Sequence, residues 1–324
     1  MQNNIIIDVY NVSKEFKTKN PNIKHKTNKV YAVKDVNFSI KQGEFVGIVG
    51  NNGAGKSTLI KILCGILKNT TGEVKVFGND PCKYRIKNNR SLSVVFGQRT
   101  QLKWDLSAYE TFELLRIMYD IEDDIYKSNI MTFIQLFEMQ NFIDRPVRTL
   151  SLGQRMRCEI AAAFLHNPKL VFLDEPTIGL DIFSKEIIVS FLNEIKKKGN
   201  TTLIMTTHDL NDIAKVCDRA ILLDKGSILM DDSIDGVILL GNKTKSIHIS
   251  TLNKIPNIVG LDFIDSVYCS DYEIQLNDID SNTIQDVIRI VLSNNTITDI
   301  SIGEITFSEV VKKIFKGELN ERSK

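Results

Sequence analysis

The 324-residue chain reads as an α/β protein: a parallel sheet covered by helices on both faces, an antiparallel β region ahead of it, a helical insert, and a small α+β domain after it. Three observations predict this. Short apolar runs at 44–49, 169–173, 202–206 and 219–224 alternate with segments of helical periodicity, the order of strand–crossover–strand units. The first of these runs leads straight into a glycine-rich turn and a helix. After about Gly241 the composition shifts: between Lys254 and Arg289 lie seven acidic residues and no basic one.

Taken in order, β-rich runs at 3–16 and 31–40 flank a polar stretch, 17–29, that contains Pro21 and reads as a long hairpin loop. Beyond Gly43 come the strand 44–49, the turn 50–55 and a helix over 56–67. Residues 106–142 read as mostly helical, with Phe112, Leu115 and Met118, then Ile130, Phe133 and Leu136, at near-helical spacing. This is a helical insert over about 100–160. Helices around 156–165, 182–198 and 209–216 interleave with the later strands. Domain boundaries of 1–240 and 241–324 follow, the second with strands around 246–250 and 297–302 and helices around 283–292 and 307–316.

Lys and Arg total 41 against 40 Asp and Glu, a net charge of +1, with 43% hydrophobic and 25% charged residues, the composition of a soluble globular protein. Such a balance gives no broad positive field, and no nucleic-acid partner is expected. The total hides a split. Residues 241–324 hold 9 basic and 12 acidic residues, net −3, leaving +4 for the remainder. The longest apolar run, 160–165, is far short of the ~20 residues that span a bilayer, and the first eight residues lack a basic segment, so a cytoplasmic chain is expected. Five scattered cysteines, Cys64, Cys82, Cys158, Cys217 and Cys269, suit free thiols rather than a disulfide framework.

Gly50-Asn-Asn-Gly-Ala-Gly-Lys-Ser57 fits the phosphate-loop pattern G-x-x-x-x-G-K-[ST] and lies between a strand and a helix, where the mechanism needs it. Glycines let successive backbone N–H groups face phosphate oxygens at the positive end of a helix. Lys56 brings a point charge to the phosphates and Ser57 a hydroxyl for Mg²⁺. A second element, Lys169-Leu-Val-Phe-Leu-Asp174-Glu175-Pro176, delivers two carboxylates at the carboxyl end of a buried strand, where open α/β sheets bind ligands. Asp174 suits the Mg²⁺ shell and Glu175 the attacking water. Leu150-Ser-Leu-Gly-Gln154 reads by itself as a helix N-cap at Ser151.

In this company the chain resembles the ATP-binding subunits of ABC transporters over about residues 3–235. The phosphate loop, a Q-loop at Gln98, the signature at 150–154, the Asp174–Glu175 pair, a D-loop at Gly179-Leu-Asp181 and an H-loop at His208 occur in family order. The resemblance implies the ABC ATPase fold of P-loop NTPases: a mixed or parallel sheet core, an antiparallel β subdomain and a helical subdomain. It implies ATP and Mg²⁺ as ligands. The implied catalytic groups are Glu175, His208, Gln98 and Lys56, and the implied Mg²⁺ groups Ser57, Gln98 and Asp174. Nucleotide contacts would come from Phe16, Gly50, Asn51, Asn52, Gly53, Ala54, Gly55, Lys56, Ser57, Thr58, Ser151, Gly153, Gln154 and Asp181. Tyr10 and Tyr31 rival Phe16 as the adenine-stacking ring, and Gln101 is an alternative register for Gln98.

The signature departs from the family's commonest form, Leu-Ser-Gly-Gly-Gln, at Leu152, while Ser151 and Gly153 are kept. In this family a subunit pairs head-to-tail with itself or a related ATPase, because a phosphate loop and its own signature lie too far apart to share one nucleotide. The resemblance also implies an integral membrane permease on whose inner face the chain sits, with Trp104 either a contact or a half-buried aromatic. The tail, 297–315, is similar to drug-exporter ATPases of the daunorubicin-resistance kind, and the stretch 96–106 resembles an uncharacterised branch of that group. An importer ATPase with a regulatory C-terminal domain and a soluble ABC ATPase are the competing classes.

Overall fold

The computed structural model describes residues 4–19, 27–97, 100–241, 244–252, 266–270, 272–280, 284, 286, 288–290 and 297–319. It divides into two compact units, Met1–Asp232 and Ser233–Lys324.

The first unit begins with β1 (Ile5–Lys19) and β2 (Thr27–Lys41), which pair antiparallel, with β4 (Thr71–Val76) on the other edge of β1. Ile7, Val9, Val12, Val33, Val36 and Ile40 are buried from these strands. The ladder runs on through Lys17–Lys29 and Lys19–Thr27, so the expected loop over 17–29 is partly strand; residues 20–26 lie outside the described residues. Polar, charged side chains suit a solvated two-stranded ribbon as well as a loop, so their polarity was no guide to the pairing.

A six-stranded sheet of order β5-β6-β7-β3-β8-β9 forms the centre. Its strands are β3 (Phe45–Val49), β5 (Leu92–Phe96), β6 (Leu170–Asp174), β7 (Thr202–Thr206), β8 (Arg219–Asp224) and β9 (Ser227–Ser233). β5-β6-β7-β3-β8 run parallel. β8 turns into β9 through Lys225 and Gly226, whose φ values of 46° and 84° are those of a tight hairpin turn. β3 and β7 are buried from end to end, as the apolar runs required.

Helix α1 (Lys56–Leu63) is shorter than the expected 56–67 because Gly65, at φ 68°, takes the left-handed conformation that ends helices. α2 (Arg85–Asn89) precedes β5. α3 (Ala108–Tyr119) opens on a Ser107–Glu110 capping box and stops at left-handed Asp120, and α4 (Asp123–Leu136) follows; these are the helical insert. α5 (Leu152–Phe164) starts ahead of the expected 156 because Ser151 and Gln154 form another capping box. α6 (Ile182–Lys198) runs from the Asp181 cap to Gly199, with three lysines in its last turn facing the negative end of the helix dipole. α7 (Leu210–Val216) is capped by Asp209. Phe137 and Phe164 meet Phe191 at ring distances of 4.5 and 5.0 Å, which locks α5, α6 and the end of α4 together.

Cys64, Cys158 and Cys217 are buried and Cys82 half-buried, all as free thiols, and burial pushes the thiol pKa up in each.

The second unit opens with α8 (Ile234–Gly241). It holds an antiparallel sheet of order β11-β12-β10-β13, made of β10 (Thr244–Thr251), β11 (Ser266–Cys269), β12 (Glu273–Asp280) and β13 (Ile297–Glu304). Ile247, Ile249, Ile274 and Leu276 are its core. The last helix, α9 (Phe307–Lys316), buries Phe307, Val310, Val311 and Ile314, the i, i+3, i+4, i+7 stripe of an amphipathic helix. A Cβ on Gly241 would lie 2.6 Å from Val310, so α8 presses on α9. That contact sets the division of the chain at Asp232 and Ser233, one helix ahead of 240 and 241. Of the expected helix at 283–292, residues 284, 286 and 288–290 are helical and the others lie outside the described residues. Among the described residues no helix is long and apolar enough to cross a membrane.

Candidate nucleotide-binding site

β3 ends at Val49 and the chain wraps through 50–55 into α1. The close approach explains two glycines. A Cβ on Gly50 would stand 2.3 Å from the Leu223 carbonyl oxygen, and one on Gly55, at φ +106°, 2.2 Å from that of Ala32. α1 has no side-chain cap and no acidic residue in its first turn, so its amino end is free for an anion. Lys56 is only 6% exposed, and its Nζ donates to the carbonyls of Gly50 at 2.7 Å and Asn51 at 3.2 Å. Burial lowers the Lys56 pKa, against the opposing pull of Glu175 and Asp174. A buried cation whose hydrogen bonds go to carbonyl oxygens fits a phosphate partner.

Asp174 closes β6 beside Thr206 of β7. Its Oδ1 accepts from Thr206 Oγ1 at 2.6 Å and from Ser57 Oγ at 3.3 Å. A hydroxyl and a carboxylate brought together from two elements are the hard oxygen donors that Mg²⁺ takes. Glu175 has φ +57°, a left-handed conformation that costs a non-glycine residue about 1 kcal/mol. Its N–H donates to Thr206 O at 3.0 Å and Thr206 Oγ1 at 3.2 Å, and its Oε1 lies 2.6 Å from His208 Nε2. Asn52, Ser57, Phe96, Gly97, Asp174, Glu175 and His208 line one open cavity of about 750 Å³.

Beneath this surface is a network that sequence reading missed. Thr177 Oγ1 donates to the buried Asp212 at 2.8 Å, and Lys185 bridges Asp212, at 3.0 Å, to Asp209. Burial alone would lower the Lys185 pKa, but the two carboxylates raise it overall, and Lys185 in turn lowers that of Asp209. The network ties the turns after β6 and β7 to α6, fixing Glu175 and His208 on their common edge.

The signature residues lie elsewhere, at the start of α5. Gln154 N–H donates to Ser151 Oγ at 3.2 Å and Ser151 N–H to Gln154 Oε1 at 3.1 Å. Asp181 accepts from Ser184 N–H and Ser184 Oγ, both at 2.8 Å, and these bonds hold its carboxyl below the usual pKa. Ser151, Gly153, Gln154 and Asp181 are not among the residues that line the cavity beside Ser57. Asn51, Gly53, Ala54 and Thr58 belong to the phosphate loop and the first turn of α1.

Phe16 is 41% exposed, which excludes a core position; Lys14 Nζ lies 5.2 Å from its ring. Its partner across the ladder, Val30, is two residues from Ala32, whose carbonyl approaches Gly55. Tyr31 and Tyr10 are exposed too. Gln98 lies outside the described residues. Gln101 is anchored instead on α5: its N–H donates to Glu159 Oε2 at 3.2 Å and its amide to Glu159 O at 3.1 Å, while Thr100 also bonds the buried Glu159. Trp104 is half-exposed beneath Arg155, 5.8 Å from its ring.

An α/β sheet with this phosphate loop and carboxylate edge defines a nucleoside-triphosphate-binding protein of the P-loop class. The family model described as ABC transporter matches residues 33–178, and the ABC transporter ATP-binding protein NatA of Bacillus subtilis (strain 168) is 31% identical over 208 residues, 64% of this chain and 84% of the relative. The chain belongs to the ATP-binding subunits of the ABC transporter family, and it is an ATPase. The energy-coupling factor transporter ATP-binding protein EcfA3 of Clostridium perfringens is 31% identical over 204 residues, 62% of this chain and 71% of the relative. Among solved structures, the dimeric post-hydrolysis state of the ATP-binding cassette MJ0796 bound to ADP and Pi matches at TM-score 0.62 and 30% identity, over 70% of this chain and 98% of that one. The structure of cbiO1 from Clostridium perfringens, part of the ABC transporter complex cbiONQ, matches at TM-score 0.60 and 27% identity, over 73% and 95%. These relatives come from more than one transporter group and do not single out the daunorubicin-resistance exporters.

Proposed function

We propose that the chain is the cytoplasmic motor of an ABC exporter: it hydrolyses ATP as a head-to-tail pair and drives a separate membrane permease on whose inner face it sits. The observation that carries the chemistry is the convergence of Ser57, Asp174, Glu175 and His208 on one cavity. In this reading Lys56 exchanges its carbonyl partners for phosphate oxygens, and the N–H groups at the start of α1 hold the same phosphates. Phe16 stacks on the adenine. Ser57 and Asp174, joined by Gln98, would hold Mg²⁺, which when bound offsets phosphate charge. Glu175 takes a proton from the attacking water, and His208, 2.6 Å away, keeps the carboxylate aimed. Ser151, Gly153, Gln154 and Asp181, outside the cavity beside Ser57, face the nucleotide of the second copy. Relatives that are a dimer and a part of a transporter complex support the pairing and the permease.

The likeness of 96–106 and 297–315 to drug exporters supports export. A second reading, an importer ATPase with a regulatory C-terminal domain, draws on the separate antiparallel unit after Asp232. Purification of the tagged full chain from membranes distinguishes transport from soluble roles. A co-purifying protein with several apolar segments of ~20 residues is expected; a ribosomal or DNA-repair partner in its place contradicts the proposal.

A further inference from the structure

The residue at which the signature departs from its commonest form has a definite seat. Leu152 is the first residue of α5, and a Cβ placed on Gly179 would lie 3.2 Å from Leu152 Cδ2. Gly179 itself is at φ +69°, so the turn after Glu175 favours glycine there and presents bare backbone. A side chain reaching in from outside covers it. One residue further on, a Cβ on Gly153 would lie 2.3 Å from Ser184 Oγ and 3.1 Å from Asp181 Oδ2. Two adjacent residues of the signature thus press on the two ends of one turn: Leu152 at Gly179, and Gly153 at the cap of α6. Leu152 keeps 39% of its surface exposed, and it is not among the residues lining the cavity beside Ser57. A glycine at 152 would leave the seat over Gly179 empty.

We propose that Leu152 is a positioning residue that clamps the signature loop to the Gly179–Asp181 turn, so that both present one fixed surface to the second copy of the chain. Turnover depends on the clamp; nucleotide binding at the phosphate loop does not. The inference rests on the reading of the site given under Proposed function.

Steady-state ATP hydrolysis by full-length Leu152→Gly, Leu152→Ala and Leu152→Met tests it. The Gly and Ala variants should lose about tenfold in kcat, the scale on which small misplacements act, with KM for ATP unchanged. The Met variant, similar in volume and reach, should keep most of the wild-type kcat. A wild-type kcat in Leu152→Ala overturns the proposal. So does an equal fall in Leu152→Met, or a fall accompanied by a raised KM for ATP, which marks a role at the phosphate loop. Lys56→Ala run alongside separates the two claims. If it too hydrolyses ATP at the wild-type rate, the reading of the site fails; if it is inactive while Leu152→Ala is normal, the clamp alone fails.

Discussion

The phosphate-loop edge and the signature edge of the first unit are built on opposite plans. At the first, Lys56 is buried, Gly50 and Gly55 are fixed by carbonyls of distant strands, and Asp174, Glu175 and His208 are bonded to one another or to Thr206. At the second, Ser151 and Asp181 spend their hydrogen bonds on capping their own helices, and large apolar side chains lie bare beside them: Ile182 is 73% and Phe183 78% exposed. A surface with that much uncovered apolar area around a polar loop is what an interface looks like before its partner arrives. One edge is finished within the chain; in the proposed function the other is completed by a second molecule.

The strongest way to break the contrast is at Glu175. Glu175→Gln should lower turnover by about a hundredfold to ten-thousandfold, the range of a general base, while nucleotide affinity is retained. Hydrolysis at the wild-type rate, measured by phosphate release, would show that the finished edge does not hold the base.

A smaller effect sharpens the description of the signature edge through its support. α5 ends near His166, whose ring stacks on Tyr119 at 4.0 Å. Burial lowers the His166 pKa from 6.5 to about 4. The unfolded chain therefore takes up the proton first, and the stability tied to the neutral ring is complete above about 6.5 and lost as pH falls toward 4. The slope is on the order of 1 kcal/mol per pH unit at most. Denaturant midpoints between those limits should fall with pH in the wild type and less steeply in His166→Phe; parallel curves would remove His166 from the account.

What could be read from sequence followed from how local the chemistry is. The phosphate loop and the Asp174–Glu175 pair are contiguous, each set by its own strand, and both were legible. Alternating strands and helices gave the central sheet for the same reason. The Thr177–Asp212–Lys185 network was not, because its members come from three segments that meet only in the fold. Leu152 read as a deviation in a motif, and only its contact with Gly179 shows a seat. The polar stretch after Phe16 concealed a continued ladder, since charge says nothing about pairing on a ribbon exposed to water.

The central claim, that the finished edge of one copy is completed by the signature edge of another, is tested most directly by mixing two inactive variants. Lys56→Ala lacks a working phosphate loop and Ser151→Ala a working signature. In a head-to-tail pair made of one of each, one composite site retains both intact edges. Equimolar mixing should then restore about a quarter of the wild-type ATPase rate, since half of randomly formed pairs are mixed and each has one good site of two. A mixture as inactive as its components would contradict the account.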